Sequence, residues 1–280
     1  MKNLFLPLLA LLVMFSACQK SALVDNSATT ANIDNTLKSI LTSYPARLIS
    51  TPIITSNIPE DIAESQTPIN IVTNSTVKFT STDPVVHYNK IRLTSVLNNA
   101  DENLKVNVKG SIDSLNNYVI FGSKKYHLSQ FHFHYSSEHT VNGVYSTMEI
   151  HFVNISADKS YAVLGVLINL GSRNESLESI FHASPTISNG VNSSNRSFDI
   201  TKLLPSNIKN YYTYTGSLTT PNYGENSAIP NGGPVTWVVY KNAQHVSSSD
   251  LNFYKGIYVE PNFRDIQSLH GRKVYENTRN

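Results

Sequence analysis

The stretch Gln-Phe-His-Phe-His-Tyr-Ser-Ser-Glu-His-Thr runs from Gln130 to Thr140, and Met-Glu-Ile-His follows from Met148 to His151. Neutral imidazole is a preferred zinc ligand, and three of them leave the fourth tetrahedral position to water, as catalytic sites do. His132, His134 and His151 can meet at one point if both segments are β-strands. Residues i, i+2 and i+4 of a strand share a face. Gln130, His132 and His134 then lie opposite Phe131, Phe133 and Tyr135, and Glu149, His151 and Val153 lie opposite Ile150 and Phe152. Asn142-Gly143 in the connection signals a tight turn, so the two segments are expected to pair as antiparallel neighbours. A lone histidine on such a strand is usually a half-buried polar side chain. His-X-His followed by Glu-X-His is a ligand pattern, because metal ligation needs several partners. Metal-bound imidazoles hand their other N–H to a carboxylate, amide or carbonyl. Gln130 and Glu149 each stand two residues before a histidine, on that histidine's face. Glu138 and His139 fall where the first strand ends, and spacing alone leaves a solvated turn and a place beside the metal as equal readings.

The elements that must position these groups read as mainly β. Short runs rich in Tyr, Thr, Val, Ile and Phe are punctuated by Asn, Gly and Pro. Two helical stripes stand out: Ile33, Leu37, Ile40 and Leu41, ended before Pro45, and Leu177, Ile180 and Phe181, ended before Pro185. A length of 280 residues with 40% apolar content is ample for one sizeable core. Charge is nearly balanced, 22 basic against 20 acidic residues, and no basic run points to nucleic acid. Met1-Lys2-Asn3 leads into an apolar run from Leu4 to Phe15, too short for a membrane span and shaped like a signal peptide. Ser16-Ala17 directly before Cys18 resembles a bacterial lipoprotein cleavage box. The expectation is a signal peptide over 1–17, lipid on Cys18, a flexible tether over 18–32 and one domain over 33–280. The protein is thereby expected in a bacterial cell envelope, lipid-anchored at the periplasmic face or cell surface. Cys18 is the only cysteine, so no disulfide can form within the chain.

Around the histidines the chain resembles α-type carbonic anhydrases. Gln-Phe-His-Phe-His, Ser-Glu-His-Thr-Val and Met-Glu-Ile-His-Phe-Val are similar to that family's zinc-ligand region. Tyr214-Thr215-Gly216-Ser217-Leu218-Thr219-Thr220-Pro221 resembles its active-site loop, and Val235-Thr236-Trp237 the strand after it. Weaker echoes are Gln66 to Ile71, Val96 to Asn99, Ala162 to Gly165 and Asn262-Phe263-Arg264, all in family order. The resemblance implies a large twisted, mainly antiparallel central sheet with a few short helices. It implies zinc on His132, His134 and His151, oriented from behind by Gln130 and Glu149, with His139 counted beside them. Thr219 would accept a hydrogen bond from zinc-bound hydroxide and pass its own proton to Glu138. Val153, Val163, Leu218, Thr220, Val235 and Trp237 would line the carbon dioxide pocket, although Val153, Val163 and Leu218 by themselves read as ordinary core. The implied reaction is reversible hydration of carbon dioxide to bicarbonate and a proton; small-ester hydrolysis is a related possibility.

Three departures qualify this. Family members usually place a proton-relaying histidine shortly after the Asn-Asn pair, whereas here Asn98 to Leu104 holds none. Carboxylates titrate too low to relay protons at neutral pH, so slower, buffer-dependent turnover is expected. The aromatic-rich opening of the family is missing over residues 46–65, and the segment from Asn222 to Pro234 is long and irregular. These departures support a rival reading, a catalytically silent binding module at the cell surface. The complete set of His132, His134, His151, Glu138 and Thr219 speaks against it.

Overall fold

The alternation that turns His132 and His134 one way turns Phe131 and Phe133 the other, and the protein is built around that division. A computed structural model of the chain describes residues 65–99, 103–220 and 233–279. The leader, Cys18, the tether, the stripe around Ile33, residues 46–64, residues 100–102 and the long loop as far as residue 232 lie outside them. Among the described residues the main sheet holds 13 strands. Those that frame the site are β1 (Val77–Phe79), β2 (Val96–Asn99), β3 (Asn103–Asn107), β4 (Lys124–His134), β5 (Met148–Ser156), β6 (Tyr161–Leu170), β7 (Tyr211–Gly216), β8 (Val235–Tyr240) and β9 (Tyr275–Asn277). Their spatial order is β2-β3-β4-β5-β6-β8-β7-β9-β1. Within this run β6–β8 and β9–β1 are parallel and the other pairs antiparallel. The sheet is therefore mixed but mainly antiparallel, as expected.

The central strands β5 and β6 are buried on both faces. One face carries Phe131, Phe133, Ile150, Phe152, Leu164 and Val166 into the larger apolar core. Helices α1 (Glu175–Phe181) and α2 (Ser248–Ile257) cover that face. Phe133 meets Phe181 edge-on at 5.4 Å, and Phe181 meets Tyr254 at 4.9 Å. Truncating such a buried ring costs about 3–5 kcal/mol. Helix α1 is the expected stripe: Leu177, Ile180 and Phe181 are buried, and the Asn174 side chain caps it by accepting from Ser176 and Leu177 N–H. The opposite face carries the histidines and a smaller cluster around Val153, Val163, Tyr214 and Trp237.

A β-bulge keeps the two faces sorted. Gln130 pairs with Val153 and Leu128 with Asn154, so Ser129 is an extra residue on β4. Strict alternation would place Leu128 on the histidine face. The bulge returns it to the phenylalanine face, where it is fully buried. The Asn142-Gly143 turn needs a correction. Strands β4 and β5 are antiparallel neighbours, but that turn does not join them directly. Asn142 (φ 51°) and Gly143 (φ 79°) close a separate two-residue hairpin, pairing Val141 with Val144 and Thr140 with Tyr145. This hairpin docks its Thr140–Val141 arm in parallel on Asn70–Ile71. The detour carries Glu138 and His139 back beneath the histidines instead of out into water.

Candidate metal centre

His151 on β5 lies directly across from His132 on β4, and Glu149 across from His134. The three rings crowd together, with centroids 4.8 Å apart for His132–His134, 5.2 Å for His132–His151 and 4.5 Å for His134–His151. One nitrogen from each lies within 4.8 Å of the others. Hydrogen bonds decide which nitrogen. His132 Nδ1 donates to Gln130 Oε1 at 2.9 Å, and His134 Nδ1 to the Asn262 carbonyl at 2.7 Å. His151 Nε2 donates to Glu149 Oε1 at 3.0 Å. The lone pairs therefore sit on His132 Nε2, His134 Nε2 and His151 Nδ1. Burial holds His132 well below the ordinary imidazole range, helped by the charges around His134, His151 and Lys105; burial also lowers His151. Neutral imidazoles with committed tautomers suit a borderline-soft divalent cation such as zinc.

Glu149 is the hub behind this face. Its Oε1 also accepts from His139 Nδ1 at 2.8 Å, and its Oε2 accepts the backbone N–H groups of Glu138 and His139, both at 2.9 Å. Burial acts to raise its pKa, but the two imidazoles and their hydrogen bonds outweigh it and hold the carboxyl well below the usual range. The space for its carboxylate comes from Gly165, paired across β5–β6 with His151: a Cβ there would stand 2.8 Å from Glu149 Oε1. His139 is fully buried, so the solvated-turn reading does not hold. Its Nε2 lies 2.6 Å from the Tyr214 hydroxyl, which is 3.2 Å from Thr67 Oγ1.

Glu138 is buried beside the centre, with Oε2 3.5 Å from His134 Nε2 and 3.7 Å from His151 Nδ1. Its Oε1 accepts the Arg264 N–H at 2.9 Å, and the Thr219 hydroxyl is in hydrogen-bonding reach of the same carboxylate. Burial raises this carboxyl to about 7 against the pull of His151, Thr219 and Arg264. The active-site loop is held from below. Thr67 and Ser217 exchange hydrogen bonds at 3.0 Å, and Trp237 Nε1 donates to the Ser217 carbonyl at 2.8 Å.

A cavity of about 620 Å³ opens over His132 and His151. Val153, Val163, Leu218, Thr219, Thr220 and Trp237 border it, as expected. Val235 does not; it is fully buried in the apolar cluster behind Val163 and Trp237. The other side is polar, with Gln130, Lys105, Asn107 and Lys109. Sequence reasoning missed several of these parts. The Asn262 carbonyl and Arg264 N–H are backbone groups that no side-chain pattern reveals. Lys105, Asn107 and Lys109 were legible in their alternation with Leu104, Val106 and Val108, whose side chains enter the core.

Comparison with known proteins agrees with this geometry. The family model of eukaryotic-type carbonic anhydrases matches residues 55–278. A carbonic anhydrase of Neisseria gonorrhoeae is 32% identical over 214 residues, 76% of this chain and 77% of that protein. One from Nostoc sp. is 30% identical over 219 residues, 77% of this chain and 76% of that protein. Among solved structures, an α-carbonic anhydrase from Thermovibrio ammonificans in complex with the inhibitor sulfanilamide superposes with a TM-score of 0.67 at 33% identity, covering 76% of this chain and 88% of that one. A sheet that brings three neutral imidazoles together over an apolar cavity, and relatives that match across most of the chain, lead to one conclusion: this chain belongs to the eukaryotic-type (α) carbonic anhydrase family and is a carbonic anhydrase.

Proposed function

We propose that the protein converts carbon dioxide and water reversibly into bicarbonate and a proton, with zinc held by His132 Nε2, His134 Nε2 and His151 Nδ1. The observation that carries this is the convergence of three imidazoles whose opposite nitrogens are all committed to acceptors of the chain. When bound, zinc supplies a Lewis acid that lowers the pKa of water to about 7. The chain's own part is orientation and reception. With its proton directed at Glu138, the Thr219 hydroxyl can only accept from the attacking oxygen, so that oxygen's lone pair faces the substrate. Val153, Val163, Leu218 and Trp237 offer an apolar wall to an apolar gas. Carbon–oxygen bond formation gives bicarbonate, and the proton of the attacking water must leave to solvent. Among the described residues bordering the cavity, the only histidines are His132 and His151, which supports slow, buffer-assisted proton exit. The same chain of Glu138, Thr219 and three histidines weighs against a silent binding module.

Zinc analysis and stopped-flow carbon dioxide hydration on the purified protein, with His134→Ala as control, test the proposal. One zinc per chain with no hydration would sink it. We further propose export to the bacterial envelope and lipid attachment at Cys18, on the strength of the Leu4–Phe15 run and Ser16-Ala17-Cys18. Labelling with a radioactive fatty acid should mark the wild type and not Cys18→Ser; equal labelling would refute it.

A further inference from the structure

The polar side of the cavity carries a charge pattern that hydration of a neutral gas does not need. Strand β3 and the residues after it alternate so that Leu104, Val106 and Val108 are buried in the core while Lys105, Asn107 and Lys109 border the cavity. Lys105 pairs directly with His132 across β3–β4. Side chains at directly opposed positions start about 5 Å apart, so the Lys105 ammonium cannot leave the neighbourhood of that histidine. Its charge is felt there, as one of the influences that disfavour a proton on His132. Lys109 lies farther out and is exposed. No carboxylate is found among the described residues bordering the cavity; Glu138 and Glu149 lie behind the histidines, buried. The cavity wall is thus cationic on one side and apolar on the other.

We infer that Lys105 and Lys109 form an anion-attracting wall that sets this enzyme's affinity for bicarbonate and for competing monovalent anions. The inference rests on the hydration reading, in which bicarbonate is the charged partner. At fixed pH the equilibrium constant ties kcat/KM for hydration to kcat/KM for dehydration, so the lysines cannot favour one direction. Their effect falls instead on the KM of bicarbonate and on inhibition by small anions, both of which tighten beside a cation. An exposed charge is screened over about 10 Å at 0.1 M salt, so the effect fades as ionic strength rises.

Calorimetric titration of the zinc-loaded full chain with sodium thiocyanate, at low and high ionic strength, tests this without relying on turnover. Lys105→Gln is expected to weaken binding about three- to tenfold at low salt, and Lys109→Gln about twofold. The double variant should lose most of the wild type's salt dependence. Lys105→Arg, which keeps the charge, should retain wild-type affinity, and so separates charge from any disturbance of the strand. The KM of bicarbonate should rise in parallel in Lys105→Gln. Unchanged thiocyanate affinity and salt dependence in the double variant, with hydration intact in the wild type, would overturn the inference alone. A zinc-loaded wild type without hydration would overturn the hydration reading and this inference with it.

Discussion

Replacing Gly165 with alanine is the sharpest way to ask whether Glu149 holds the centre in place. The added Cβ would stand 2.8 Å from Glu149 Oε1, where ordinary contact begins at 3.4 Å, so the carboxylate must retreat by about 0.6 Å. That oxygen is no loose end. It is held by His139 Nδ1 at 2.8 Å and His151 Nε2 at 3.0 Å, and the other oxygen by two backbone N–H groups at 2.9 Å. A retreat of that size stretches the His151 bond beyond useful length and frees the ring to turn. Overpacking of this kind costs about 1–3 kcal/mol, and loss of such a supporting hydrogen bond weakens metal affinity about 10- to 100-fold. Competition with a chromogenic chelator would measure the zinc Kd, and thermal unfolding would measure stability. Gly256 in α2 is the matched control, because a Cβ there meets nothing within 4 Å. Gly256→Ala should be neutral or stabilise by up to about 1 kcal/mol. A folded Gly165→Ala protein whose zinc Kd stays within about twofold of wild type would refute the reasoning.

Three further outcomes follow from the geometry. Thr219→Val should lower kcat/KM for hydration about 100-fold while zinc affinity changes less than about twofold, since the hydroxyl orients the nucleophile and touches no ligand; a loss below about threefold in stopped-flow assays would contradict that role. Imidazole buffers should raise kcat, and a rate indifferent to buffer concentration would show that protons leave without help. Glu276 governs acid stability: burial tends to raise its pKa, but Lys241, Lys78 and Thr76 outweigh burial and hold it at about 2, from an ordinary 4.5. A depressed carboxyl stabilises the fold above its unfolded pKa, so this contribution is complete above about 4.5 and is lost as pH falls toward about 2. Urea titrations across that window should show a shallower pH slope for Glu276→Gln; an identical slope would assign the acid sensitivity elsewhere.

The centre was legible where its chemistry is carried by side chains on alternating positions. His132, His134 and His151, with Gln130 and Glu149 on the same faces, needed only the strand period to be found. The Asn262 carbonyl that fixes His134 is main chain, more than a hundred residues away, and has no signature before folding. The bulge at Ser129 was equally hidden, since Leu128 and Phe131 violate alternation without announcing why. Gly165 stood in a recognised segment, yet its reason lies in Glu149, on a different strand. The lysines of β3 failed to register for another cause: charge was sought as a contiguous run, whereas a strand displays its charges at every second residue. His139 shows the limit of local reading, because a His beside a Glu at a strand end looks solvated until the returning hairpin seals it in.

The crossing of the strand boundary by the ligands has a further meaning. His132 and His134 belong to β4, and His151 faces His132 from β5 in register. A slip of one residue between these strands would send His151 to the phenylalanine face and leave two ligands where three are needed. Only the native alignment can hold the ion, so zinc proofreads the pairing of β4 with β5. An aromatic-rich sheet centre could otherwise settle for a neighbouring alignment with nearly the same apolar contacts. The same three side chains that would prepare water for attack also decide which hydrogen-bond ladder the centre of the sheet adopts.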